Sequence, residues 1–108
     1  MIEQPIPEAA FRDKNSVEML RVWIAEQQLW CSIKVGMYQE STNIPESRAW
    51  GTILADATRH IATALETAYS ADRDEVIREI RDRYLKELGS PTSDATGEFV
   101  SKENGRSH

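Results

Sequence analysis

Asp56 and His60 stand four residues apart in the run TILADATRHIATAL, one turn apart if that run is helical. A carboxylate and an imidazole so placed can offer two metal ligands. The carboxylate can equally orient the imidazole for proton transfer. No His-Glu-x-x-His pattern surrounds them and no third ligand follows, so a hydrogen bond on the helix surface explains the pair more simply. Cys31 could be a nucleophile only if a base or a helix N-terminus lowered its pKa. Nothing near it in sequence does so, and it reads as a small buried hydrophobe. Arg73, Arg78, Arg81, Arg83 and Lys86 cluster, but Asp72, Asp74, Glu75, Glu79, Asp82 and Glu87 interleave with them. That pattern is a solvated, ion-paired face rather than an anion site. The residues therefore assign no catalytic group, no cofactor and no metal.

The elements that would position these groups follow from spacing. Val17–Ile24 and Leu29–Val35 alternate apolar and polar, as half-buried strands do. Closing them as a hairpin through Ala25-Glu26-Gln27-Gln28 pairs Ile24 with Leu29, Val22 with Cys31 and Leu20 with Ile33. All of these, with Val35, then share one face, and a one-residue slip would mix the faces. The connection lacks the Asn-Gly or Asp-Gly of a tight primed turn, so a four-residue loop on a type I turn is expected. The same register sets Trp23 opposite Trp30, Met19 opposite Lys34 and Arg21 opposite Ser32 on the other face. Aromatic cross-strand pairs contribute on the order of 0.2–1 kcal/mol. Two tryptophans and a methionine do not suit a wetted face. Met19, Trp23 and Trp30, with Tyr38, are the candidate interaction surface, expected to be covered by a second copy of the chain unless the N-terminal arm and Tyr38 fold over it.

A helical period begins near Asn43–Glu46, where Asn43 and Glu46 have capping-box spacing. Gly36 to Pro45 reads as a loop before it. Trp50, Ile53, Leu54, Ala57, Ile61, Ala64, Leu65 and Ala68 form one apolar stripe, expected to face the core. Arg48, Thr52, Arg59, Thr63 and Glu66 lie off it. A second helix should start at Asp72, with Glu75 three residues on, and carry Val76, Ile77, Ile80, Tyr84 and Leu88 inward. Gly89-Ser90-Pro91 ends it. Residues 1–16 form an arm with one helical turn after Pro7, and Phe11 is expected to cover a core edge. Residues 17–89 make a single α+β domain: an antiparallel β-hairpin or small meander followed by two α-helices packed on one face. Residues 90–108, rich in Ser, Thr, Gly and charge, are expected to be a disordered tail.

With 108 residues the chain allows one domain. A net charge of −5 argues against nucleic acid, whose phosphates need concentrated Lys and Arg. No run approaches the roughly 20 apolar residues of a membrane span. The start, MIEQPIPEAA, lacks a secretory pattern, and the lone Cys31 makes no internal disulfide. A cytoplasmic protein is expected.

Pro5-Ile6-Pro7, Glu18-Met19-Leu20-Arg21-Val22-Trp23-Ile24-Ala25, and Ala49-Trp50-Gly51-Thr52-Ile53-Leu54-Ala55-Asp56 with Arg59-His60-Ile61-Ala62 resemble the small proteobacterial proteins of domain of unknown function 5076. The similarity spans roughly residues 5–88. It implies a bacterial, cytoplasmic, single-domain protein and transfers no activity, cofactor or catalytic residue. Two functions remain open. One is a non-enzymatic homodimer that binds a protein partner. The other is a small-ligand protein or enzyme with a site at Trp50, Asp56, Arg59 and His60 near the hairpin tryptophans.

Overall fold

The structure is a computed structural model and describes residues 1–101 and 105–107, the last three as backbone. The fold is α+β. After α1 (Glu8–Arg12) come strands β1 (Leu20–Ala25) and β2 (Gln28–Lys34), then helices α2 (Met37–Ser41), α3 (Glu46–Tyr69) and α4 (Arg73–Gly89). Strands β3 (Ala95–Ser101) and β4 (Gly105–Ser107) follow, giving a mixed sheet in the order β1-β2-β3-β4.

The hairpin has the register that alternation predicts. Leu20 pairs with Ile33, Val22 with Cys31, Trp23 with Trp30 and Ile24 with Leu29. The ladder continues beyond β1, where the Lys34 amide donates to the Met19 carbonyl at 3.0 Å. The turn differs from expectation. Ala25 pairs with Gln28, which leaves only Glu26 and Gln27 as loop residues. Both have positive φ, 53° and 62°, the signature of a type I′ turn. Strand twist selects that turn even without glycine, because types I and II would splay the strands.

The disordered tail expected over residues 90–108 is corrected for most of its length. Ala95–Ser101 pairs with β2 in parallel, from Leu29 opposite Ala95 to Lys34 opposite Val100, and β4 then pairs antiparallel with β3. Residues 102–104 and 108, to which the same expectation applied, lie outside the described residues. A parallel neighbour requires a long crossover, and α2, α3 and α4 together make it. The segment is weakly patterned because Gly97 interrupts it. That glycine is required: its φ is +146°, and a Cβ there would lie 1.7 Å from the Cys31 carbonyl oxygen. β2 thus becomes a central strand, while β1 keeps a free edge beside the arm.

The two long helices begin and end where the sequence places them. Ser70 at φ 59° closes α3, and the Asp72 carboxylate accepts from the Glu75 amide at 3.0 Å at the head of α4. The expected loop after Gly36 contains α2 instead, with Gly36 at φ 95° leading into it. Burial departs further from expectation. The apolar stripe of α3 divides. Ala49 and Ala62 are buried and Ile53 and Leu65 half-buried, while Leu54 and Ile61 stay 36% and 48% exposed. Along α4, Val76, Ile77 and Ile80 are half-buried, but Tyr84 and Leu88 are open to solvent. Phe11 covers nothing and is 75% exposed. Among the described residues no large side chain is fully buried.

Two outcomes test this description. Gly97→Val should detach β3 from β2. The Val35 amide, which donates to the Val100 carbonyl, should then lose its protection in hydrogen exchange, while the Lys34 amide keeps its own. Gln27→Gly should raise stability by about 0.5–1 kcal/mol in denaturant titration, because the left-handed penalty at this position exceeds the flexibility glycine adds.

Candidate functional site

The hairpin brings Trp23 and Trp30 together on the face opposite Val22 and Cys31. The Trp30 indole donates to the Ala25 carbonyl at 2.9 Å, so its polar edge is satisfied within the turn. Beside the pair opens a cleft of about 510 Å³, lined by Arg21, Trp23, Trp30, Ser32 and Glu98 among others. β3 completes this cleft, because Glu98 stands opposite Ser32 across the parallel ladder. Met19, Trp23, Trp30 and Tyr38 are all half-buried, and neither Met19 nor Tyr38 lines the cleft. Arg21 is its cation, and it is already engaged. Its guanidinium reaches Glu18 at 3.0 Å and Glu3 of the arm at 3.0 Å. Hydrogen bonding and charge at Glu18, then Glu3, raise the Arg21 pKa above its ordinary value.

A larger groove of about 940 Å³ separates the arm from β1. Its walls include Ile2, Ile6 and Phe11 on the arm and Leu20, Val22 and Ile24 on the strand. Neither concavity includes Trp50, Asp56, Arg59 or His60. Asp56 and Arg59 form an exposed ion pair with each other on α3, and His60 is exposed beside them. Trp50 donates instead to Glu46 at 3.0 Å. The four helix candidates therefore do not converge on the hairpin tryptophans. Among the described residues no group of three or more His, Cys, Asp or Glu is placed to hold a metal ion. Cys31 is a half-buried free thiol.

Glu46, which the sequence offers only as a capping-box partner of Asn43, has a different role. Its Oε1 accepts from the amides of Tyr38 at 3.0 Å and Gln39 at 3.2 Å. Its Oε2 accepts from the Gly36 amide at 3.1 Å and from the Trp50 indole. Asn43 does not cap α3, whose N-cap is Pro45 without a side-chain bond. Glu46 turns back and satisfies the amides at the start of α2, whose own N-cap is a glycine with no side chain to offer. The available signal was an acid at the first position of a helix, four residues before a tryptophan, shortly after a glycine turn. Burial of this carboxyl pushes its pKa up. The bonds from Gly36, Gln39, Trp50 and Tyr38 outweigh that and hold it below the ordinary 4.5.

The profile of the family described as Domain of unknown function (DUF5076) matches residues 3–92. No curated protein matches the chain. Among solved structures, one superposes with a TM-score of 0.66 at 24% identity, covering 89% of this chain and 92% of that one. It is described as the "Structure of a putative pyruvate dehydrogenase from the photosynthetic bacterium Rhodopseudomonas palustrus CGA009". At that identity the likeness speaks for the fold alone.

The Glu46 cluster sets a pH dependence. A carboxyl whose folded pKa is depressed contributes stability above its unfolded value, and that contribution is lost as pH falls through the folded one. The parent should therefore lose stability as pH drops below about 4.5. Glu46→Gln should be less stable at neutral pH and should converge on the parent in acid. Parallel pH profiles of the two unfolding midpoints would show that the carboxylate carries no such load.

Proposed function

We propose that this chain, which belongs to the family described as Domain of unknown function (DUF5076), is a non-enzymatic module that pairs with a second copy of itself and presents the pair to a protein partner. The observation that carries this reading is the amount of surface one copy leaves in water. A compact monomer of 12.3 kDa exposes about 6,100 Å². This chain exposes 8968 Å², roughly 2,900 Å² more. Its radius of gyration is 15.7 Å, against about 13 Å for a compact chain of this length. Obligate homodimers bury about 2,000–5,000 Å² in total, half from each copy. The excess is larger than the roughly 1,000–2,500 Å² that one copy gives up, and part of it is apolar: Val22, Ile24, Leu54, Ile61, Leu85 and Leu88 are all exposed.

A small-ligand reading draws on the cleft at Trp23, Trp30 and Arg21, and on the pyruvate dehydrogenase label of the structural neighbour. It is the weaker reading on charge grounds. Arg21 is already paired by two carboxylates, so an anionic substrate would have to displace Glu3 or Glu18.

Sedimentation equilibrium separates the two. A species of twice 12.3 kDa at micromolar concentration is the expected result. A 12.3 kDa species at high micromolar concentration would refute the homodimer. Pyruvate binding in calorimetry, lost in Arg21→Ala, would favour the ligand reading.

A further inference from the structure

We propose that the two copies pair through an antiparallel contact of their α3 helices, along the seam Trp50, Leu54, Ala57, Ile61, Ala64 and Ala68. The inference rests on the homodimer reading and names the surface that makes it. These residues follow one another at steps of four and three, the 3.5-residue period of a helix that packs along another. The monomer does not use them as a core face. The N-terminal half of α3 turns Ala49 and Ile53 inward, and its C-terminal half turns Thr58, Ala62 and Leu65 inward. From Leu54 onward, every seam residue between those two contact surfaces is exposed.

The orientation follows from size. In heptad terms Leu54, Ile61 and Ala68 occupy one position and Trp50, Ala57 and Ala64 the other. Parallel helices would set Leu54 on Leu54 and Ala57 on Ala57, alternating crowded and empty layers along one axis. Antiparallel helices oppose the two positions. Leu54 then meets Ala64, Ala57 meets Ile61 and Trp50 meets Ala68 in both copies, as a two-fold axis requires. Every layer holds one large and one small side chain, so the helices keep an even spacing and leave no void. The Asp56–Arg59 ion pair and Glu66 project away from this seam, so no charge is buried by closing it. The helix dipoles also oppose in this arrangement. One occupant therefore fits the seam, and it is the same helix of a second copy. The excess of roughly 2,900 Å² over the whole chain exceeds the roughly 1,000–2,500 Å² that one copy gives up in an obligate dimer, so the area for such a contact is at hand.

Cross-linking reads the register. In a Cys31→Ser background, chains carrying Ala57→Cys and chains carrying Ile61→Cys are refolded together and oxidised. The mixed 57–61 disulfide should form at least about ten-fold faster than the disulfide of either variant alone, because closure of a thiol pair depends on approach of the two Cβ atoms. Ala57→Cys alone linking as fast as the mixture would make the helices parallel and overturn the register. In sedimentation, Ala64→Glu should raise the dimer dissociation constant at least about a hundred-fold, through burial of an unpaired charge. Leu85→Glu on α4 and Trp30→Lys on the sheet should change it far less. A parent dimer that Trp30→Lys dissociates and Ala64→Glu does not would move the interface to the tryptophan face. That result sinks the α3 seam and leaves the homodimer standing, whereas a monomeric parent sinks both.

Discussion

Apolar burial is the quantity this fold lacks, and the rest of the architecture responds to that lack. Two alanines are the only buried hydrophobic residues among those described. They mark the two places where α3 comes close enough to its neighbours to exclude water. Alanine permits such approach but contributes little transfer free energy, since burial scales with apolar area. A domain of this size must cover a large fraction of the surface its unfolded chain exposes if it is to offset conformational entropy. One copy does not do so. The proposed self-association would supply contacts that one copy lacks.

Polar anchors hold the open frame in shape. Glu46 gathers three amides and an indole, fixing the short α2 against the first turn of α3. At the far end of the helical crossover, Glu87 accepts from the Thr92 hydroxyl at 2.6 Å and the Thr92 amide at 3.2 Å. Those bonds to Thr92 hold the Glu87 pKa below its ordinary value against the opposing effect of burial. The two carboxylates sit where the chain leaves the sheet and where it returns, so each fixes an entry angle that side-chain packing alone would leave loose. Carboxylates suit this task because one group can accept several amides, and charge-assisted bonds are about twice as strong as neutral ones.

Local rules made part of this legible in the sequence. The hairpin register followed from alternation, because only one pairing collects Leu20, Val22, Leu29 and Ile33 on a face. The extent of α3 followed from period and the Asp72 cap from capping chemistry, although Asn43, spaced to cap α3, does not do so. What escaped was set by distant partners. β3 has too little apolar pattern to announce itself, and becomes a strand because β2 offers an edge and Gly97 can approach Cys31. The type I′ turn was hidden by residues that tolerate positive φ poorly. The inward side of α3 was ambiguous because the stripe is wide enough for two contact surfaces, and periodicity cannot say which neighbour takes which half. The candidate ligand residues do not meet the tryptophans for a related reason. Asp56, Arg59 and His60 share a helix, but nothing in the spacing says that this helix faces the tryptophans.

The tryptophan pair and the α3 seam place different demands on a partner. Trp23 and Trp30 lie next to an engaged Arg21, with Ser32 and Glu98 across the cleft, and Trp30 has its indole hydrogen bonded. That face is amphipathic and already half-buried, and its polar groups make it costly to desolvate fully. The six seam residues carry no charge, and their one polar side-chain group, the Trp50 indole N–H, already donates to Glu46, so closing the seam would strand nothing. Two faces with these properties would suit different kinds of contact. On the proposed reading, the apolar seam has the character of an obligate interface. The aromatic cleft has instead the polar, half-buried character of surfaces that make transient contacts.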